Sequence, residues 1–294
     1  MADARIGIIG GSGLGQALAG QVGGREVQVE TPFGSPSGPI LLTHWAGADI
    51  AFLSRHGPGH LLNPSTVPYR ANIYALKSLG VTHILASGAT GSLREDIEPR
   101  HLVICDQVID KTCRRESTYF DRGLVAHVDF AEPFCPHLRN LLKSAGEKVP
   151  TRVHSTGTYV CMEGPQFSTV AESRMHQQWG GALIGMTAMP EAKLAREAEI
   201  CYALIALPTD YDCWRPHDPG KGREALLKEI ISNLNAVTAN AIELLQAAIP
   251  VLAREVDKPC TCRDALGIAI WSDRVKVGTA DVQRLGLIAK RYFT

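Results

Sequence analysis

The sequence lacks an excess of charge of either sign, and this absence narrows the classes of partner. Lys and Arg together number 30, as do Asp and Glu, among 294 residues. A balanced chain has no net field to recruit nucleic acid or an acidic membrane surface. It also lacks the run of about 20 apolar residues that crosses a bilayer. We therefore expect neither nucleic acid nor a membrane as partner.

Signals for secretion and for metal binding are also missing from the sequence. The first five residues lead directly into an apolar run, without the pattern of a cleavable signal. The eight cysteines are scattered, which is typical of a reduced, cytoplasmic protein. Cys260 and Cys262 are too close together to form a zinc knuckle, because a second pair of ligands is missing. We expect two free thiols there, with a local redox pair as the alternative, and no metal.

Short apolar runs alternate with amphipathic segments, which predicts an α/β fold. The sequence shows no internal repeats and no low-complexity linkers. We expect one domain over residues 1–250 and a C-terminal extension over 251–294 that packs on the same domain. Predicted strands cover 5–9, 40–43, 50–54, 82–87, 102–105, 155–160, 182–186 and 201–207. Predicted helices cover 68–79, 136–145, 168–179, 190–199 and 223–248.

Residues 10–13, Gly-Gly-Ser-Gly, end the first predicted strand. Glycines permit a sharp turn that aims backbone N–H groups at an anion, and the Ser12 hydroxyl adds a donor. A dinucleotide fingerprint is the alternative. It is disfavoured because Gln16 stands where a third glycine or alanine is needed. Glycines at 20, 23 and 24 also argue against a helix after this turn.

Three further predicted strand ends carry donors or small residues. Arg55 and His56 follow one strand, and an arginine fork matches phosphate oxygens. The segment 87–92 after another strand is rich in glycine, and Thr187 follows a fourth strand. Ligands of α/β sheets bind beyond the carboxyl ends of strands, so these residues are expected to meet at one anion site.

Asp210 and Asp212 follow the strand 201–207 and are separated by one residue. Their carboxylates point the same way if the segment is extended. A protonated carboxyl can donate to purine N7, and a carboxylate can accept from the 6-amino group of adenine. A turn or helix-capping pair of aspartates is the alternative interpretation.

Nine segments, in their order along the chain, resemble corresponding segments of one protein family. They are 7–14, 31–34, 55–57, 72–77, 91–95, 131–135, 163–168, 186–191 and 209–214. They resemble the methylthioadenosine phosphorylase family, in the trimeric branch of the purine nucleoside phosphorylase superfamily, over roughly residues 5 to 250. This resemblance implies a single-domain mixed β-sheet flanked by helices. It also implies phosphorolysis of 5′-methylthioadenosine to adenine and 5-methylthioribose 1-phosphate in purine and methionine salvage.

The resemblance further implies a role for each site residue. Inorganic phosphate, as co-substrate, is bound by Ser12, Arg55, His56, Gly88, Ala89 and Thr187. The nucleoside is bound by Phe167, Met186, Asp210, Asp212 and, from the neighbouring subunit, His127. Asp210, His56 and Arg55 are the implied catalytic residues. Ser168, Arg223, Leu226 and Leu227 are the implied specificity residues, and no organic cofactor or metal is expected. A homotrimer is implied, with a hexamer as the alternative.

Two departures from the family bear on the substrate. Gly88 stands where eukaryotic members have threonine, so the backbone replaces one hydroxyl donor. Arg223 stands where a small apolar residue is usual, in a polar segment over 216–223. These departures weaken the expected preference for a 5′-methylthio substituent. The alternative function is that of a purine nucleoside phosphorylase acting on adenosine, inosine, guanosine or 5′-methylthioinosine. A hydrolytic nucleosidase and a nicotinamide-dependent dehydrogenase are alternatives of other classes.

Overall fold

A computed structural model describes residues 5–216, 220 and 222–293. Four residues of the polar segment over 216–223, and the first four of the chain, lie outside this description. The strands are Ile6–Gly10 (β1), Arg25–Val27 (β2), Ile40–Trp45 (β3), Ala48–Ser54 (β4), His83–Ser92 (β5), Leu102–Ile104 (β6), Gln107–Asp110 (β7), Val153–His154 (β8), Thr158–Cys161 (β9), Leu183–Gly185 (β10) and Cys201–Asp210 (β11). The helices are Leu14–Gln21 (α1), Tyr69–Ser78 (α2), Pro136–Gly146 (α3), Val170–Gln178 (α4), Ala188–Glu197 (α5), Arg223–Glu255 (α6) and Thr279–Leu285 (α7).

All described strands join one mixed sheet. Strand β1 pairs in parallel with β4 and β5, and β5 pairs in parallel with β11. The far end of β5 pairs antiparallel with β10, so the sheet branches there. Central parallel strands are covered on both faces, which explains their continuous apolar runs. The carboxyl ends of β1, β4, β5 and β11 therefore lie along one edge.

Helices cover both faces of the sheet, as the side chains of β1 show. Ile6 and Ile8 belong to the hydrophobic cluster that contains Val237 of α6. Ile9 points to the opposite cluster, which contains Ile73 of α2. This alternation follows from the two-residue repeat of a strand. The predicted α/β fold, a mixed sheet flanked by helices, is confirmed.

Helix α6 is apolar and long. The sequence predicted no apolar run long enough for a membrane, but by length and composition alone this helix could span one. Val237, Ala241 and Leu245 are buried against the sheet, as their spacing predicted, while Leu226 is half-buried near the start of the helix. The packing of this face against β11 accounts for the apolar character. The helix continues to Glu255 and so crosses the predicted domain boundary at residue 250. That division of the chain stays a prediction.

Two predictions about the glycine-rich segments were wrong. A helix, α1, does follow the first glycine turn, because buried Leu14 and Leu18 lie one turn apart and anchor it before Gly20. Strand β5 does not end at Ser87 but continues to Ser92. Pairing with β11 keeps it extended, since Ala89 lies opposite Leu207. Tertiary pairing thus overrides the weak strand propensity of glycine.

The segment after α6 contributes to the same core as the sheet. Leu266, Leu285 and Ile288 are buried in the cluster that contains Ile73. Buried Glu199 fastens the segment, because its carboxylate accepts from the Leu266 backbone N–H at 3.1 Å. The same oxygen accepts from Arg291 at 2.8 Å and from the Tyr292 hydroxyl at 2.6 Å.

Candidate active site

The glycine turn after β1 packs directly on the ends of β4 and β5. A Cβ atom on Gly11 would lie 2.8 Å from Nη1 of Arg55 and 2.9 Å from the carbonyl oxygen of Ser87. Both separations are shorter than normal contacts, so only glycine fits at this position. Three strand ends that the sequence predicted to converge are therefore in contact.

Arg55 lies at the centre of a buried ionic network. Its Nε and Nη2 atoms donate to the two carboxylate oxygens of Glu191 at 2.7 and 2.8 Å, and Nη1 donates to the Ser87 carbonyl at 2.7 Å. The Tyr202 hydroxyl also donates to Glu191, at 2.7 Å. Burial alone would lower the pKa of Arg55, but the charge and hydrogen bonds of Glu191 hold this pKa above its ordinary value.

The structure gives the arginine fork partners that the sequence did not indicate. The sequence assigned the fork to phosphate, whereas its Nε and Nη2 edge binds Glu191, and the Arg55 side chain is fully buried. Glu191 lies 136 residues away in the chain, so the pairing had no local signal. Arg55 thereby positions the strand ends around it. A direct contact between Arg55 and phosphate stays a prediction.

His56 is a neutral, fixed ring. Its Nδ1 lies 2.8 Å from the Leu62 carbonyl oxygen, and a carbonyl can only accept, so Nδ1 carries the proton. Burial, followed by the charge of Arg55, lowers the pKa of His56 to about 4. The ring stacks on His60 with a centroid separation of 4.2 Å. In this neutral ring Nε2 is an acceptor, so a hydrogen bond donated by His56 to phosphate requires the ring to take up a proton; its role in phosphate binding stays a prediction.

The lowered pKa of His56 predicts a loss of stability in acid. The unfolded chain takes up a proton near pH 6.5, whereas the folded ring does so only near pH 4. The unfolded state therefore binds the proton first, and stability falls as the pH drops from 6.5 to 4. Between pH 7.5 and pH 5, we expect the free energy of unfolding to fall by about 2 kcal/mol less in His56→Asn than in the native protein. The asparagine amide can still donate to the Leu62 carbonyl. Urea unfolding at pH 7.5 and pH 5 measures it. The exposed His44→Asn is the control and should leave the difference unchanged.

An open cavity of about 710 Å³ lies over the glycine turn and the His56 loop. Half-buried Ser12 and buried His56 both line it. Gly88 continues this region on β5, because a Cβ there would lie 3.3 Å from Oγ1 of Thr187. Gly88 also lies against Gly11, because a Cβ atom added to Gly11 would come 3.3 Å from the Cα atom of Gly88. The structure thus gathers the predicted anion donors along one edge of the sheet.

Thr187 and Met186 follow β10 and are held by groups without a predicted role. The Thr187 backbone N–H donates to the Tyr159 hydroxyl at 3.3 Å. Arg115 donates to the Met186 carbonyl at 2.6 Å and to the Glu163 carbonyl at 2.7 Å, with only 1% of its side chain exposed. Arg115 comes from the long polar segment after residue 106. No local motif in the sequence marks Arg115.

Glu163 also binds Arg115 and the polar segment that contains it. Its carboxylate accepts from the Cys113 backbone N–H at 2.8 Å and lies 3.3 Å from Nε of Arg115. Burial alone would raise the pKa of Glu163, but the hydrogen bond from Ser65, the Cys113 N–H and the charge of Arg115 lower it to about 2. Glu163 is therefore ionised at neutral pH and fixes the polar segment beside Met186.

The acidic pair forms a turn rather than an extended segment. Asp212 has a φ of 49°, and its backbone N–H donates to Oδ2 of Asp210 at 3.0 Å. The other oxygen of Asp210 accepts from the Thr209 hydroxyl at 2.8 Å. Asp212 is buried and accepts from the Ser173 hydroxyl, a partner that the sequence did not indicate. The expectation of an extended pair was wrong, because the left-handed residue reverses the chain.

The turn nevertheless lies beside the anion region. A Cβ on Gly91 would come 3.0 Å from Cβ of Asp212. Gly88, which approaches Thr187, and Gly91, which approaches Asp212, are three residues apart on the same strand. Successive strand residues advance about 3.3 Å, so the two regions are about 10 Å apart along β5.

Other predicted residues lie at the periphery of this chain. Phe167 is 82% exposed, and Ser168 is half-buried with its carbonyl accepting from the Cys213 thiol. His127 is exposed and packs edge-on against Trp271. On α6, the polar side chain Arg223 and the apolar Leu227 are exposed, and Leu226 is half-buried. Ser168 thus lies beside the acidic pair through Cys213, which follows Asp212. The roles of all these residues stay predictions.

Comparison with known proteins gives a consistent result. A family model described as the phosphorylase superfamily matches residues 5–250. The chain is 48% identical to the S-methyl-5′-thioadenosine phosphorylase of Gloeobacter violaceus, over 99% of this chain and 96% of that protein.

Solved structures agree with the sequence relatives. A methylthioadenosine phosphorylase from an Antarctic soil metagenomic library superposes with a TM-score of 0.89 at 44% identity, over 98% of this chain and 99% of that one. A double variant of the adenosine/methylthioadenosine phosphorylase of Schistosoma mansoni, in complex with adenine, gives a TM-score of 0.81 at 33% identity, over 91% and 99% of the two chains. The chain therefore belongs to the phosphorylase superfamily and, within it, to the S-methyl-5′-thioadenosine phosphorylase family.

Proposed function

We propose that this protein cleaves 5′-methylthioadenosine with inorganic phosphate, releasing adenine and 5-methylthioribose 1-phosphate. It acts as a pentosyltransferase of purine and methionine salvage. The spacing on β5 carries the proposal, because Gly88 adjoins Thr187 and Gly91 adjoins Asp212. An anion site beside Thr187 and a base site beside Asp212, both next to the end of one strand, suit attack of phosphate on the sugar carbon that carries the base. The name of the 48% identical relative supports the choice of nucleoside.

Chemistry at this site depends on positioning and electrostatics. Phosphate held by Ser12, the Gly88 and Ala89 backbone and Thr187 lies beneath C1′ of the ribose. Cleavage passes through a cationic, oxocarbenium-like state that the adjacent phosphate stabilises. Asp210 gives or shares a proton at N7 as the purine departs. The attacking oxygen of phosphate takes the place of N9 at C1′, and no covalent intermediate with the protein is required.

The remaining side chains bind the nucleoside around these two centres. Met186 packs on the ribose, Phe167 stacks near the base, and Asp212 accepts from the 6-amino group. Specificity for the 5′ substituent comes from Ser168, Arg223, Leu226 and Leu227. The exposed guanidinium of Arg223 broadens this pocket toward more polar substituents. Adenosine is accordingly the second candidate substrate, in line with the name of the 33% identical schistosome protein.

The preference for adenine over 6-oxopurines depends on Asp212. Ser173 occupies one carboxylate oxygen of Asp212, which leaves the other to accept from an amino group. The O6 atom of hypoxanthine would face that oxygen as a second acceptor, an unfavourable buried arrangement. We expect Asp212→Asn to lower the ratio of kcat/KM for adenosine over inosine by at least about tenfold. The exposed carboxylate variant Asp96→Asn should leave the ratio unchanged, and an unchanged ratio in Asp212→Asn would refute the assignment.

A homotrimer would complete the site. His127 lies with the exposed apolar residues Val125, Ile268 and Trp271, a surface suited to contact a second copy. We infer that His127 reaches the 5′ substituent in the neighbouring subunit. In an equimolar mixture of His127→Ala and Asp210→Asn chains, refolded together, one site in four receives both native residues. We expect roughly a quarter of native activity from this mixture, although each variant alone is impaired.

Mixing the folded variants without exchange of subunits is the control and should give no gain. The absence of any gain after refolding would show that His127 serves its own subunit. The mass in solution, measured by light scattering, separates a trimer from a hexamer.

For location, we propose the cytoplasm, which the eight free thiols support.

Chromatography of the reaction products tests the proposed function. Purified protein is incubated with 5′-methylthioadenosine in the presence and absence of phosphate, beside adenosine and inosine. We expect adenine only when phosphate is present and little hypoxanthine from inosine. Adenine release without phosphate would instead identify a hydrolase, and hypoxanthine as the main product would overturn the base assignment.

A further inference from the structure

Four cysteines from three distant parts of the chain meet at the end of the sheet opposite the proposed active site. They are Cys135, Cys201, Cys260 and Cys262, and all four sulfur atoms lie within 4.8 Å of one another. The second pair of ligands for Cys260 and Cys262 is thus supplied by Cys135 and Cys201, which lie far earlier in the chain. Both thiols are free, as expected, but the expectation that a second pair of ligands is missing was wrong.

Two of the four cysteines have backbone N–H groups fixed by other hydrogen bonds. Cys135 immediately precedes α3, and its N–H donates to the Tyr202 carbonyl at 2.8 Å. Cys201 begins β11, and its N–H donates to the Thr82 carbonyl at 3.0 Å. Cys260 is half-buried, whereas the other three cysteines are buried. The cluster is therefore built into the fold and largely shielded from solvent.

We propose that this cluster is a structural Zn²⁺ site with four thiolate ligands. Zinc binds thiolate sulfur at about 2.3 Å in a tetrahedron, which places neighbouring sulfurs about 3.8 Å apart. The sulfurs of Cys135 and Cys260 are 3.7 Å apart. A disulfide requires about 2.05 Å, so the observed spacing fits a shared metal better than a bond. Four soft sulfur ligands in a tetrahedron favour zinc among the common cations.

The site would serve structure rather than catalysis. Four protein ligands leave no open position for water or substrate. Strand β11 runs from Cys201 to Asp210, so about 30 Å of strand separates the cluster from the acidic pair. Zinc binding replaces the four thiol protons and ties the segment after α6 to α3 and β11. That segment carries Leu285 and Ile288 into the core and places Trp271 against His127.

Metal analysis of the purified, untagged protein tests the proposal. We expect one zinc per chain by mass spectrometry of the metal, and its loss in Cys201→Ser and Cys262→Ser. The variant Cys113→Ser is the matched control, since Cys113 is exposed and outside the cluster; it should retain the zinc. The purified protein freed of metal, with its thiols reduced, should bind Co²⁺ with the intense visible absorption of a tetrahedral thiolate site. This readout uses the native sequence and so does not depend on the folding of a variant.

Removal of the metal should also loosen the C-terminal segment. We expect a chelator to make this segment accessible to limited proteolysis after α6, and added Zn²⁺ to reverse the effect. Disulfides between these cysteines in freshly purified protein would overturn the proposal. So would a reduced protein that takes up neither Zn²⁺ nor Co²⁺ while all four thiols remain open to alkylation. Metal content and thiol reactivity are measured without substrate, so these outcomes are independent of the proposed reaction.

Discussion

Asp210→Asn is expected to lower kcat for 5′-methylthioadenosine by about 10²- to 10⁴-fold, the usual range for loss of a general acid. The variant keeps the size of the side chain but removes its ability to hold a transferable proton for N7. Phosphate binding, on the opposite side of the ribose, should change little. Steady-state kinetics together with phosphate affinity from calorimetry measures the two effects separately.

The hydrogen bonds of Asp210 determine how much stability the Asp210→Asn variant should lose. Its two oxygens accept from Thr209 and from the Asp212 N–H, and an asparagine can accept only one of these bonds. The variant should therefore lose about 1 kcal/mol of unfolding free energy, the usual net value of one hydrogen bond. Such a loss is too small to unfold the protein or to explain a thousandfold decrease in rate. Turnover within threefold of the native value would refute the role of Asp210.

Glu191→Gln is expected to lower the free energy of unfolding by about 3–5 kcal/mol, because it leaves the buried Arg55 charge without its counter-ion. Both side chains are fully buried and are joined by two hydrogen bonds of 2.7 and 2.8 Å. Arg55→Ala should cost a similar amount by leaving the Glu191 charge alone. The apolar double variant Arg55→Met, Glu191→Leu should be less destabilised than either single variant, since no unpaired charge remains.

The exposed pair of Arg94 and Asp96 offers the matched comparison. Its side chains are about half exposed, so Arg94→Ala should cost less than about 1 kcal/mol. Denaturant unfolding of all these variants gives the values. A loss below 1 kcal/mol in Glu191→Gln would contradict the account of the buried pair. Arg55→Ala should in addition raise KM for phosphate sharply, and an unchanged phosphate dependence would count against the predicted anion site.

Local patterns in the sequence were sufficient for most elements. The strand predicted over 5–9 and the helix predicted over 223–248 correspond to β1 and α6. These signals depend on which face of an element is apolar, which neighbouring residues determine. Element ends were less accurate, because β5 is extended through its glycines by pairing with β11.

Partners distant in sequence could not be predicted, and they determine how the site works. No local motif marks Glu191 or Ser173. Glu191 nevertheless fixes the direction of Arg55, and Ser173 binds one carboxylate oxygen of Asp212. Arg115 looked like one cation in a polar segment, and only the fold places it against Met186. The four cysteines likewise meet through tertiary packing. Types of residue at strand ends indicated the chemistry, whereas orientation required the structure.

The sugar product provides the most direct test of the central claim. After complete conversion of 5′-methylthioadenosine in phosphate buffer, ³¹P nuclear magnetic resonance and mass spectrometry identify the product that accompanies adenine. Phosphorolysis predicts one phosphate ester at C1 of 5-methylthioribose for each adenine released. Free 5-methylthioribose, with all phosphorus remaining inorganic, would mean that water attacks C1′ and would contradict the proposed function.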